Sequence, residues 1–188
     1  MISAGDLRKG SKVLYKDEPH IVVDFQHTKP GKGPAYIKAK LKNLITGLLI
    51  EATFRSVEKI PTPDLAYRNM QYLYQEDNHY NFLDQESYEQ ITLSEDQIAD
   101  VKDYLKEEIV YIVLNFNDKP IAVTPPIFVE LEVKETQAGV RGDTAQGGAT
   151  KPATLETGLV LQVPLFINEG DIIKVDTRDG KYIERINK

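Results

Sequence analysis

The chain has 188 residues, no cysteine and no tryptophan, and a net charge of −6 from 23 Lys and Arg against 29 Asp and Glu. Without cysteine there is no disulfide staple, thiolate zinc site, iron–sulfur cluster or cysteine nucleophile. The 41% hydrophobic and 28% charged content is that of a folded chain, and the lack of an apolar leader or a run near the ~20 residues of a membrane span points to a soluble, cytoplasmic protein that enters no membrane.

Charge is distributed in three provinces. Residues 1–63 hold 11 basic and 6 acidic groups, residues 64–128 hold 4 and 13, and residues 129–188 hold 8 and 10. No acid occurs between Asp24 and Glu51, an interval with Lys29, Lys32, Lys38, Lys40 and Lys42. A cationic stretch without interspersed carboxylates favours an anionic partner.

In chain order, the strand formers of His20–Phe25 lead into Lys29-Pro30-Gly31-Lys32-Gly33-Pro34. Beyond it, Ile37, Ala39 and Leu41 alternate with Lys38, Lys40 and Lys42, so one face packs and the other carries ammonium groups. This predicts a β-hairpin whose tip is stiffened by prolines and stripped of side chains around Lys32 by glycines. Ammonium groups in this arrangement suit a phosphate-lined crevice rather than base edges, and the bare tip equally suits a lysine presented for covalent modification. No Ser or Thr follows Lys32 in the spacing of a phosphate-binding loop.

Ile60-Pro61-Thr62-Pro63 and Thr124-Pro125-Pro126 interrupt strand patterns and mark boundaries, giving segments 1–63, 64–128 and 129–188. In the middle segment Ser94-Glu95-Asp96-Gln97 fits a capping box, and Ile98, Val101 and Leu105 share a helical face, which predicts one helix. Further on, Val129, Leu131 and Val133 alternate with Glu130, Glu132 and Lys134. Leu159–Val163, Ile172–Val175 and Lys181–Ile186 read as further strands, the last two joined by Thr177-Arg178-Asp179-Gly180. The glycine-rich stretch Ala138–Thr150 is a long loop, of a length associated with function.

Enzymatic constellations are missing. His20, His27 and His79 have no metal-ligand spacing, and no local motif pairs a nucleophile with a base. The sequence therefore nominates no catalytic residue, no metal site and no cofactor.

Four segments in order, Lys29-Pro30-Gly31-Lys32-Gly33, Thr124-Pro125-Pro126 with Phe128-Val129-Glu130-Leu131-Glu132, Val140-Arg141-Gly142-Asp143-Thr144, and Lys151-Pro152-Ala153 with Gly158, Leu161, Val163-Pro164, Ile167 and Gly170, resemble the bacterial elongation factor P family. The resemblance covers the whole chain. It implies an all-β protein of three small barrels, an SH3-like or KOW-like barrel followed by two OB-fold barrels, in an L-shaped, tRNA-like arrangement with one short helix in the middle domain. It also implies a monomeric, non-enzymatic translation factor that binds the 70S ribosome between the P and E sites and relieves stalling at consecutive prolines. Lys32 is then the tip at the P-site tRNA acceptor end and the residue open to a lysine-modifying enzyme. Lys29, Pro30, Gly31, Gly33 and Pro34 form its loop. Lys38, Lys40 and Lys42 face RNA, whether tRNA or ribosomal RNA. Gly142, Asp143 and Thr144 approach the E-site codon of the mRNA, and ribosomal proteins complete the partners. A paralogous elongation-factor-P-like protein and a generic RNA-binding OB module stay open as alternatives.

Overall fold

The computed structural model describes residues 1–29, 31, 33–137 and 149–186. Apolar residues recur at a period of two along most of the chain, and the described residues accordingly form 16 strands with little helix. Two compact units result, Met1–Tyr67 with Leu114–Ala122, and Arg68–Val113 with the chain from Val123 onward. Pro61, Pro63, Pro125 and Pro126 all fall outside strands, where a missing ladder donor costs nothing.

The chain begins with β1 (Ile2–Ser3), β2 (Lys12–Tyr15), β3 (Glu18–Thr28), β4 (Tyr36–Asn43), β5 (Leu49–Arg55) and β6 (Lys59–Ile60). β2-β3-β4-β5 is an antiparallel sheet, and β1 pairs with β6. β4 alternates as its sequence demands, with Ile37, Ala39 and Leu41 buried and Lys38, Lys40 and Lys42 exposed. The buried set packs with Leu7, Val13, Val22, Phe54 and Ile60 into one core. Each fully buried Ile or Leu contributes about 1.5–3 kcal/mol relative to exposure. Tyr15 pairs with Glu18 across a two-residue turn in which Lys16 (φ 53°) and Asp17 (φ 62°) are both left-handed. That is the twist a tight hairpin needs, adopted here without the usual glycine.

Next come β7 (Leu65–Glu76), β8 (His79–Asp84), β9 (Gln90–Ser94), α1 (Glu95–Ile98), β10 (Val110–Phe116) and β11 (Lys119–Thr124), with sheet order β11-β10-β7-β8-β9. The capping box forms, the Ser94 N–H donating to Gln97 Oε1 at 2.9 Å. The expected short helix forms with it, but does not run on to Leu105. α1 stops after four residues, and a 3-10 turn at Lys102–Tyr104 carries the chain on. The Val101 N–H donates to the Ile98 carbonyl and the Tyr104 N–H to the Val101 carbonyl, a tighter winding than an α-helix allows. Ile98, Val101 and Leu105 are nonetheless all buried beside Tyr72, Phe82, Leu93 and Tyr111. Core contact fixed the side chains, while the backbone was free to choose its winding.

The remaining strands are β12 (Phe128–Thr136), β13 (Thr150–Leu155), β14 (Val160–Pro164), β15 (Ile172–Asp176) and β16 (Lys181–Ile186), in order β14-β13-β12-β15-β16. Val129, Leu131 and Val133 are buried among Leu155, Val163, Ile173 and Val175. Within the second unit the middle segment docks on this core. Tyr104 packs against it, Thr157 Oγ1 donates to the Asp103 carbonyl at 2.7 Å, and Lys106 Nζ reaches both the Glu130 carbonyl (2.8 Å) and Glu156 (3.0 Å). The buried Tyr111 hydroxyl holds this segment in shape, donating to the Tyr104 carbonyl at 2.8 Å and accepting from the Lys106 N–H at 2.9 Å.

Candidate nucleic-acid interface

β3 and β4 form the expected hairpin, paired from His20↔Asn43 at the base to Thr28↔Tyr36 at the tip, with a bulge between Val22 and Asp24. Of the predicted tip residues, Pro30 and Lys32 lie outside the described residues. Lys29, Gly31 and Gly33 are exposed and Pro34 follows them. Gly33 takes φ 124°, a conformation that L side chains rarely adopt, which explains glycine at this position. The Ser56 N–H donates to the Ala35 carbonyl at 2.9 Å, tying the end of β5 to the root of the loop.

Because residues opposite one another in a sheet share a face, the register sorts the charges into rows. Thr28, Tyr36 and Arg55 make the row nearest the tip, then Gln26, Lys38 and Thr53, then Asp24, Lys40 and Glu51. A groove of about 680 Å³ runs over the last two rows. The stretch free of acids along the chain is thus not free of them in space, since Lys40 stands between two carboxylates brought in by its neighbours. Asp24 also pairs with Lys9 at 3.0 Å, and the Lys9 ammonium, with Lys40 farther off, holds its carboxyl below the usual range. Lys38 has no acid in its row. Lys42 lies between Ile21 and Leu49. The cationic character is therefore concentrated at the tip end, in Lys29, Lys38 and Arg55. Neither Arg55 nor Tyr36 was nominated by the sequence, because only the register of β5 brings Arg55 beside the hairpin.

The second expected site, Gly142, Asp143 and Thr144, lies outside the described residues. The strands flanking it are braced. The buried Lys151 ammonium donates to the Gln137 carbonyl at 2.6 Å, and Thr136 Oγ1 donates to the Pro152 carbonyl at 2.9 Å. Two of the three histidines have local structural partners: His20 is buried, donating from Nδ1 to the Glu18 carbonyl at 2.9 Å, and His27 sits edge-on to Phe25. Among the described residues no group of His, Asp or Glu could hold a metal ion, and no helix is long and apolar enough to cross a membrane.

Three family models match consecutive stretches: the elongation factor P (EF-P) KOW-like domain at residues 3–60, the EF-P OB domain at 65–123, and the elongation factor P C-terminal domain at 129–185. An elongation factor P of Caldanaerobacter subterraneus is 52% identical over 186 residues, covering 99% of this chain and all of the relative. One of Bdellovibrio bacteriovorus is 45% identical over 188 residues, covering both chains completely. Among solved structures, a translation initiation factor 5A from Methanococcus jannaschii superposes with a TM-score of 0.57 at 21% identity, covering 66% of this chain and 93% of its own. That likeness concerns the fold alone. The expected all-β architecture with KOW-like and OB modules and one small helix therefore holds.

Proposed function

The chain belongs to the elongation factor P family of translation factors, and we propose that it binds the ribosome between the P and E sites and speeds peptide-bond formation between consecutive prolines. The observation that carries this reading is the pair of carboxylate-free rows at the tip end of β3, β4 and β5, an electrostatic footprint suited to RNA phosphate. In this reading the first barrel lies along the acceptor stem of the P-site tRNA. Lys32 extends from it toward the reacting ends.

Proline is a constrained nucleophile and acceptor, so the reactants occupy unproductive geometries much of the time. Holding the acceptor end in place removes part of that entropic barrier. The factor contributes order and charge, and the ribosome contributes the chemistry, so no acid, base or cofactor is asked of this chain. Lys32 is the position for covalent extension by a lysine-modifying enzyme, which would lengthen the reach of the same cation. Gly142, Asp143 and Thr144 would meet the mRNA in the E site, with ribosomal RNA and ribosomal proteins completing the contact. The work is done by one copy of the chain, in the cytoplasm where ribosomes translate.

A reconstituted translation reaction with a proline-run reporter tests this. Wild type should restore full-length product, and Lys32→Ala should slow the proline step by at least about tenfold. Equal rescue by the two proteins would remove the tip from the mechanism.

A further inference from the structure

The row nearest the tip holds an aromatic ring and a guanidinium side by side. Tyr36 pairs with Thr28 on one side and with Arg55 on the other, so their Cβ atoms stand about 4.5–5.5 Å apart on the face that carries Lys38. Tyr36 is half-buried and Arg55 exposed. The Arg55 backbone is fully engaged, its N–H donating to Glu58 Oε2 at 3.0 Å and its carbonyl accepting from the Glu58 N–H at 2.9 Å. Its guanidinium makes no ion pair with any described residue. The Tyr36 hydroxyl likewise has no partner among them.

These are two different recognition chemistries. A guanidinium forks across two phosphate oxygens, which an ammonium cannot do. A phenol ring offers a stacking platform to a base only when that base is unpaired, since bases inside a duplex already stack on each other. Lys38 in the next row and Lys29 at the loop root add point charges for neighbouring phosphates. An extended strand advances about 3.3 Å per residue, so Lys38 lies about 7 Å from the Tyr36 row, close to one phosphate repeat of a stretched single strand.

We propose that Tyr36 and Arg55 form a seat for an unpaired RNA end, Tyr36 stacking on a base and Arg55 clamping the phosphate beside it. The seat would capture the single-stranded terminus of the tRNA next to its acceptor stem. This deepens the ribosomal reading above and rests on it.

The test measures binding of the full-length protein to ribosomes holding peptidyl-tRNA in the P site, over a range of salt concentrations. Arg55→Gln and Tyr36→Leu should each weaken binding about tenfold, while Tyr36→Phe keeps the ring and stays near wild type. Arg55→Gln should also reduce the steepness of the salt dependence by about one counterion. Both positions lie on the solvent face, and circular-dichroism melts verify that each variant is folded, with Arg55→Lys as the substitute if Arg55→Gln is not. Wild-type affinity for Arg55→Gln and Tyr36→Leu overturns the seat. A loss confined to Arg55→Gln overturns stacking and leaves a phosphate contact. Failure of the wild type to bind ribosomes at all sinks the parent reading, and is distinguishable from both.

Discussion

The crossing of Lys40 by two carboxylates makes a prediction opposite to that of the sequence. Asp24→Asn with Glu51→Gln should raise affinity for the ribosome. Adjacent strands lie about 4.8 Å apart and successive same-face residues about 7 Å apart, so a phosphate seated at Lys38 sits roughly 7–9 Å from each carboxylate. At an exposed surface, with an effective dielectric of about 40–80, removing one such charge changes the binding constant by roughly two- to sixfold. The two together should give about tenfold at low ionic strength, fading as salt is added. The double change also releases Lys9 from Asp24, so the salt dependence should steepen by about one to two counterions. Titrating labelled protein into ribosomes at several salt concentrations gives both numbers. Lys40→Gln in the wild-type background should lower affinity by roughly three- to sevenfold, since the ammonium it removes stands about 7 Å from the same phosphate. Unchanged affinity and slope in the double variant would refute the claim that this register decides which lysines face RNA.

Two further predictions concern the scaffold. Tyr111→Phe strips a buried hydroxyl that the structure uses twice, leaving the Tyr104 carbonyl and Lys106 N–H unpaired. The loss should be about 1–3 kcal/mol, read as a lower urea midpoint at constant slope by circular dichroism, since the chain lacks tryptophan; an unmoved midpoint would show the bonds to be dispensable. Burial pushes the Tyr111 hydroxyl up to about 12, so this bond persists throughout the neutral range. Asp176 accepts from the Arg178 side chain at 2.6 and 3.0 Å and from its backbone N–H at 3.0 Å, and the Arg178 pairing holds its carboxyl down to about 2, against 3.8 unfolded. A depressed acid stabilises the fold above its unfolded value and loses that contribution as pH falls through its folded one. The difference in melting temperature between wild type and Asp176→Asn should therefore be full at neutral pH, shrink below about pH 4 and vanish only once the pH has fallen through about 2. A difference constant across that range would exclude ionisation as its source.

What the sequence disclosed and what it hid follow from the range of the forces involved. β4 and β12 were legible because alternation is local: a residue's face depends only on its neighbours in the same strand. Ile98, Val101 and Leu105 were legible as a buried set, yet their spacing of three and four suits both an α-turn and a 3-10 turn, so the backbone between them was not. The charge rows were out of reach, since Asp24, Lys40 and Glu51 become neighbours only through the register of three strands and a bulge in one of them. Arg55 was hidden for the same reason, and Tyr36 looked like an ordinary strand aromatic until that pairing gave it a cation alongside. The tip signal at Lys32 came from its Pro- and Gly-rich hairpin loop and the loop signal at Gly142, Asp143 and Thr144 from motif resemblance, and both positions lie outside the described residues.

The segment Asp103–Lys106 belongs by sequence to the middle domain, but Tyr104, Thr157, Lys106 and Glu156 make it the socket into which the C-terminal barrel fits. Recombination between homologues that cut the gene near Pro126 would separate a plug from its socket, even though every strand stayed whole. A graft that carries residues 103–106 along with the new C-terminal barrel keeps the two surfaces matched. The natural module of inheritance at this end of the molecule is thus discontinuous, and breakpoints placed by domain boundaries alone should yield fewer folded chimaeras than breakpoints that respect this seam.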